Sequence, residues 1–161
     1  MTSAPTDHLC SSDFTEGGFR PHGMFSCWME GALLVWEARG PFNVEALQAF
    51  GRTRQAAFAR WRLDDQPLAA VMHWVGSALM SPDAFALYER AFEAFIVSRH
   101  NYVAVAWVGG PEVEGLDFMR SRFAPLFDRH GLAFAVFTDM DAARRWALPR
   151  LKEAQQAALP P

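Results

Sequence analysis

The chain has 161 residues, of which 51% are hydrophobic and 20% are charged, and its formal net charge is −3. This size and composition suit one globular domain with a substantial core and exclude a disordered chain. The mild negative charge, with basic residues scattered along the sequence, gives no reason to expect a nucleic-acid partner. No apolar run is long enough to cross a bilayer, so we expect no transmembrane segment.

The two cysteines, Cys10 and Cys27, are too few for a disulfide framework. Cys27 lies in a predicted strand, where a buried reduced thiol is the ordinary role of cysteine. The first ten residues contain no apolar stretch of the kind found in a signal peptide. Together these features favour a cytoplasmic protein.

An arm and a hairpin open the chain. Residues 1–22 are rich in Ser, Thr, Gly and Pro, which predicts a flexible N-terminal arm. Residues 24–29 and 32–38 follow as two apolar strands, and Glu30-Gly31 between them suits a tight turn. The hairpin therefore marks the start of the folded domain, which we place at residues 23–148.

Buried strands alternate with amphipathic helices in the rest of the domain. Further strands are predicted at residues 68–75, 102–108 and 132–137, and helices at 44–61, 82–96, 116–130 and 139–146. Asn43, Ser81 and either Thr138 or Asp139 are suited to cap three of these helices. Pro149 is expected to end the last helix, leaving residues 149–161 as a tail with one short helix.

The element order ββαβαβαβα predicts an α/β fold. We expect a mixed, mostly parallel β-sheet with an opening β-hairpin and right-handed helical crossovers. In such sheets, ligands bind beyond the carboxyl ends of the parallel strands. The strand ends supply Glu37, Arg39, His73, Ser77, Gly109 and Gly110 among others. We place the ligand or partner site at this edge, with the residues Arg39, His73, Ser77, Ser81, Gly109 and Gly110.

The residues at this edge allow both a functional and a purely structural interpretation. Gly109-Gly110 follows a strand like a phosphate-binding turn, but Pro111 removes a backbone donor and two nearby glutamates would repel an anion, which favours a plain tight loop. His73 with Ser77 or Arg39 would give a hydrolase-like enzyme only if these side chains converge on an open cleft. A core histidine bonded to the backbone is the simpler role. No metal site and no cofactor are predicted, and without a catalytic motif we expect a non-enzymatic protein.

Aromatic residues make up 14% of the chain. If the protein carries a lipid or an apolar metabolite, we expect a pocket of roughly several hundred cubic ångströms lined by Phe85, Phe92 or Trp74. Rings at helical spacing otherwise simply form core. A surplus of rings that the sheet does not hide would also favour a homodimer.

Three passages resemble the STAS domains, and more closely their SpoIIAA-like branch, which is linked to lipid-binding SEC14-type proteins. They are residues 30–43, 71–85 and 136–146, and the resemblance covers about residues 24–147. It implies a SpoIIAA-like fold and a regulatory role through a protein partner or a small apolar or anionic ligand.

Signalling STAS domains carry a phosphorylatable serine in an Asp-Ser-Ser-Gly loop ahead of the second long helix. The matching place in this chain, residues 77–83, reads Ser-Ala-Leu-Met-Ser-Pro-Asp and lacks both the acidic residue and the glycine. Ser81 is the nearest equivalent and Ser77 the next, so the resemblance implies these two as candidate phosphorylation sites. A plain helix-capping role for Ser81 is the alternative.

Overall fold

Six strands that lie in the order of the chain organise the fold in the computed structural model, which describes residues 7–99 and 101–161. The first two pairs of neighbouring strands are antiparallel and the last three pairs are parallel. This confirms the predicted mixed sheet with its opening hairpin. The strands are β1 (His8–Cys10), β2 (Met24–Glu30), β3 (Leu33–Arg39), β4 (Leu68–Val75), β5 (Tyr102–Val108) and β6 (Ala133–Phe137).

Four helices complete the domain, and three of them begin at the predicted caps. Asn43 Oδ1 accepts a hydrogen bond from the Ala46 amide at 3.1 Å, and Asp139 Oδ1 accepts one from the Ala142 amide at 2.8 Å. Such caps satisfy amide groups that the first helical turn leaves unpaired. The helices are α1 (Val44–Trp61), α2 (Pro82–Arg99), α3 (Leu116–Arg129) and α4 (Met140–Ala157).

The two faces of the sheet carry different side chains. Since parallel crossovers share one hand and the strands follow in order, α1, α2 and α3 fall on the same face. We call this the aromatic face; its largest sheet residues are Trp36, Trp74 and Trp107. The opposite face, here the alanine face, packs on α4 and is built around Ala69, Ala104, Ala106, Ala143 and Ala147.

The N-terminal segment differs from the predicted arm. His8–Cys10 pairs with β2 as an antiparallel strand, and residues 11–14 form a 3₁₀ turn. The Phe25 amide donates to Ser11 Oγ at 2.9 Å, and Arg52 Nε donates to the Phe14 carbonyl at 2.6 Å. A three-residue strand is too short to show a period of two, so only pairing with β2 reveals it. Residues 1–6 of the predicted arm lie outside the described part of the chain.

The C-terminal helix also differs from the prediction. Pro149 does not end α4, which continues to Ala157 and places Leu151 in the core at 1% exposure. Proline removes one helical hydrogen bond, but Pro149 lies on the exposed side of α4, where water can hydrate the carbonyl left over. The folded domain therefore includes most of the predicted tail.

None of the four helices, as far as the structure describes them, is both long and apolar enough to cross a membrane.

Candidate functional site

Arg39 and His73 come together at the carboxyl edge through a third residue, Glu37. Glu37 lies opposite His73 in the β3–β4 register. Its carboxylate accepts a hydrogen bond from Arg39 Nε at 2.7 Å and lies 3.9 Å from His73 Nδ1. All three side chains are partly open to solvent. The predicted core position of His73 is therefore wrong, because the ring lies at the rim of the sheet beside a carboxylate.

Ser77 has a structural role in the β4–α2 loop. It is 3% exposed, its hydroxyl accepts a hydrogen bond from the Leu79 amide at 3.2 Å, and its carbonyl accepts one from the Gly40 amide at 3.1 Å. His73 makes its side-chain contact with Glu37 instead. The hydrogen bond that a hydrolase-like pair needs is therefore not made between His73 and Ser77.

Ser81 is exposed at the first turn of α2. Its hydroxyl accepts a hydrogen bond from the Ala84 amide at 3.2 Å, as an N-cap does, and its own amide donates to the Phe42 carbonyl at 3.1 Å. The predicted cap is confirmed. Of the two candidate serines, only Ser81 presents its side chain to solvent.

The Gly109-Gly110 turn is closed by the protein itself. The Gly109 amide donates to the Phe137 carbonyl at 2.9 Å, and the Gly110 amide donates to the Glu112 carboxylate at 3.2 Å. A Cβ atom at Gly109 would lie 2.8 Å from Leu116 Cδ2, which explains the glycine. Because a carboxylate already takes the Gly110 amide, the tight-loop interpretation fits better than an anion site.

A second region of interest lies inside the domain, between the aromatic face and the helices that cover it. A cavity of about 50 Å³ opens there among tryptophan, phenylalanine, tyrosine and methionine side chains. The carrier hypothesis predicted a pocket of roughly several hundred cubic ångströms. Phe92 and Trp74 do line the cavity, but Phe85 packs on Phe123, and the cavity at these residues is smaller than the pocket that the carrier hypothesis predicted.

Arg54 is the charged residue in the wall of this cavity. Its side chain comes from α1, the residue is 9% exposed, and its Nε has no hydrogen-bond partner among the described residues. The guanidinium carbon lies 4.2 Å from the centre of the Phe95 ring and 5.5 Å from that of Phe50. Burial lowers the pKa of Arg54. The neighbouring Arg99 pairs with Asp64, whereas no described carboxylate pairs with Arg54.

Nε is the one atom of the Arg54 guanidinium that is fully buried without a hydrogen-bond partner among the described residues, and the ring contacts offset part of the cost of burying the charge. Burying a charged side chain costs several kcal/mol, even after the protein relaxes around it. Each cation–π contact returns about 0.5–2 kcal/mol. An anion or ordered water beside the guanidinium would complete its environment.

Three further polar groups line the same cavity. Trp74 Nε1 is buried and has no hydrogen-bond partner among the described residues. Burial raises the pKa of Tyr102 to about 12 and also raises that of Tyr88, so both hydroxyls stay protonated at neutral pH. The cavity is thus apolar over most of its wall and offers a few hydrogen-bond donors, which is the usual composition of a small-molecule site.

Sequence reasoning missed this cavity, although one signal was available. Arg54 lies four residues after Phe50 and four before Phe58, so it falls on the apolar stripe of α1. A charged residue in that position has to reach the surface or find a partner inside the core. Its burial depends on Phe95 of α2, which helical spacing within α1 does not reveal.

Comparisons with known proteins support the fold. No protein-family model matches the chain. No curated protein matches it either. The chain is similar to an uncharacterized protein of the DUF3478 family from Shewanella loihica PV-4, whose crystal structure has a SpoIIAA-like fold. The TM-score is 0.54 at 16% sequence identity, over 82% of this chain and 98% of that protein. The protein therefore has the SpoIIAA-like fold that its sequence resemblance implies.

Proposed function

We propose that the protein is a non-catalytic binding domain that takes a small molecule into the cavity on the aromatic face. The observation that carries this proposal is the buried guanidinium of Arg54, which lines a cavity and has no acidic partner among the described residues. Buried charges in folded proteins are nearly always paired. A bound ligand would supply the partner of the Arg54 guanidinium that the described residues do not provide.

The cavity volume limits the size of that molecule. A cavity needs about 10–15 Å³ to hold one water, so about 50 Å³ admits a few waters or an organic molecule of few heavy atoms. The walls include Met72 and Met80, whose unbranched side chains adapt to different shapes. The proposed ligand is therefore a small molecule with a short apolar body, and a lipid is too large.

A thermal-shift and tryptophan-fluorescence titration tests the proposal. The probes are isobutyrate, isobutyramide and isobutanol, which share a branched four-carbon skeleton. A molecule that binds only the folded state raises the melting temperature, and it changes the emission of Trp74 or Trp107 in the cavity wall. We expect at least one probe to do both.

Two variants make this test specific to the cavity. Ala70→Leu adds three carbons to a cavity-lining residue and should abolish the response, whereas Phe118→Ala, at an exposed position on α3, should retain it. The proposal fails if no probe acts on the natural protein. It also fails if Ala70→Leu, folded by circular dichroism, responds as the natural protein does.

A second candidate function is regulatory binding of a protein partner at the carboxyl edge, and the observation that favours it is the exposure of Ser81. A phosphate on this hydroxyl would lie at the N-terminus of an eighteen-residue helix, where negative charge is stabilised. In a pull-down from cell extract, Ser81→Asp should change the recovery of a partner and Ser81→Ala should not. Equal recovery with both variants would contradict the phosphorylation hypothesis.

A further inference from the structure

We infer that the ligand of the cavity is a small monocarboxylate and that the Arg54 guanidinium binds its carboxylate. The inference rests on the proposed function and adds the chemical class of the ligand. It depends on the charge around the cavity, on the geometry of Arg54 and on the composition of the cavity wall.

The charge around the cavity is positive. Arg54 and Arg99 lie on the same aromatic ring, with their guanidinium carbons 4.2 and 5.1 Å from the centre of Phe95. Asp64 pairs with Arg99, and no described carboxylate pairs with Arg54. One guanidinium therefore remains without a counter-charge among the described residues. A bound anion would supply the missing counter-charge, whereas water hydrates the guanidinium without neutralising it.

The geometry of Arg54 favours a planar anion. Phe95 and Phe50 contact the guanidinium, so the ring contacts hold it while Nε is left without a partner. A carboxylate accepts the parallel N–H groups of arginine in a bidentate pair. Trp74, another residue of the cavity wall, has a buried indole N–H without a hydrogen-bond partner among the described residues.

The side chains that line the cavity argue against a phosphate group as the ligand. Phosphate sites use several backbone amides at a helix N-terminus or a glycine-rich loop. This cavity is lined by aromatic and aliphatic side chains around Arg54. One guanidinium in an otherwise apolar wall matches a single carboxylate with a short apolar body.

The first experiment compares two isosteric probes on the natural protein by isothermal titration calorimetry. Isobutyrate and isobutyramide have the same shape and differ in charge. A charge-assisted hydrogen bond is worth about tenfold or more in affinity. We therefore expect isobutyrate to bind at least about tenfold more tightly than isobutyramide.

The second experiment assigns the preference to Arg54. Arg54→Gln should lower the affinity for isobutyrate by at least about tenfold and leave that for isobutyramide nearly unchanged. Arg60→Gln is the matched control, because it removes the same charge from the same helix at an exposed position paired with Asp7. Arg54→Lys keeps the charge but not the bidentate geometry, and should retain part of the preference.

The outcomes separate this inference from the proposed function. If both probes bind the natural protein equally well, the carboxylate assignment is overturned and the proposed function stands. If no probe binds, both are overturned. If Arg54→Gln and Arg60→Gln weaken isobutyrate binding to the same extent, the assignment to Arg54 is overturned. The comparison of probes uses the natural protein, so it decides the ligand class even if Arg54→Gln does not fold.

Discussion

The two faces of the sheet bury similar strands with different side chains. On the alanine face, Ala69 and Ala106 meet Ala143 and Ala147 of α4, and all four are fully buried. On the aromatic face, large rings meet at varied angles, for example Trp74 and Trp107 at 64°. Small side chains let a helix approach a sheet closely, whereas rings fit together less completely. The cavity and its unpaired polar groups lie on the aromatic face.

The largest predicted effect concerns a ring at the centre of the aromatic face. Phe123 of α3 is 2% exposed and lies within 6 Å, between ring centres, of Phe85, Tyr88 and Trp107. We expect Phe123→Ala to lower the free energy of unfolding by about 3–5 kcal/mol, because it removes buried area and enlarges a cavity. Urea denaturation followed by circular dichroism measures this change.

Phe118→Ala is the control for this prediction. It removes the same ring from the same helix, but at a residue that is 57% exposed. Its effect should stay within about 0.5 kcal/mol. A loss below about 1 kcal/mol for Phe123→Ala would mean that the aromatic face is packed loosely enough to tolerate the gap.

The second prediction compares the two faces within one strand. Ala69 and Ala70 are neighbours on β4 and point to opposite sides, Ala69 toward α4 and Ala70 into the cavity wall. We expect Ala69→Val to destabilise the protein by about 1–3 kcal/mol through overpacking. Ala70→Val fills part of the cavity and should be neutral or stabilising. Urea midpoints of the two variants, measured side by side, give the comparison.

The same change in stability for Ala69→Val and Ala70→Val would contradict the predicted difference between the two faces. Equal losses would mean that the aromatic face has no more room than the alanine face. Equal tolerance would mean that α4 shifts easily over the sheet. Both substitutions add the same two methyl groups to the same strand, so β-propensity cancels between them.

Features that depend on local sequence were predicted well. Asn43, Ser81 and Asp139 cap helices because a cap needs only a side-chain oxygen three residues before a free amide. The alternation of apolar strands and helices gave the order of the elements from β2 onward. Both depend only on residues that are close together in the sequence, so they can be recognised without knowing which distant residues make contact.

Features that depend on distant partners were not predicted. The strand His8–Cys10 exists through its pairing with β2, and α4 passes Pro149 because Leu151 beyond it packs in the core. The site residues at the carboxyl edge were placed by topology, which brought Arg39 and His73 to Glu37 but left Ser77 buried. The burial of Arg54 depends on Phe95 of another helix.

The smallest predicted effect is a pH dependence from the aromatic face. Cys27 of β2 is fully buried there, and burial raises the pKa of its thiol from 9.0 to about 12. Above pH 9 the unfolded chain loses this proton while the folded chain keeps it, so the stabilising contribution is complete below pH 9 and declines as the pH rises toward 12. Between pH 9 and pH 10 the decline is about 1 kcal/mol.

Cys27→Ala isolates this contribution from the other buried groups that titrate at high pH. The raised pKa values of Tyr88 and Tyr102 act in the same direction above pH 10, but they are common to both proteins. Urea unfolding at pH 8, 9 and 10 should show a smaller loss of stability for Cys27→Ala than for the natural protein. Parallel pH profiles for the two proteins would mean that water reaches the thiol, and that the aromatic face is open on the side of β2 as well as at the cavity.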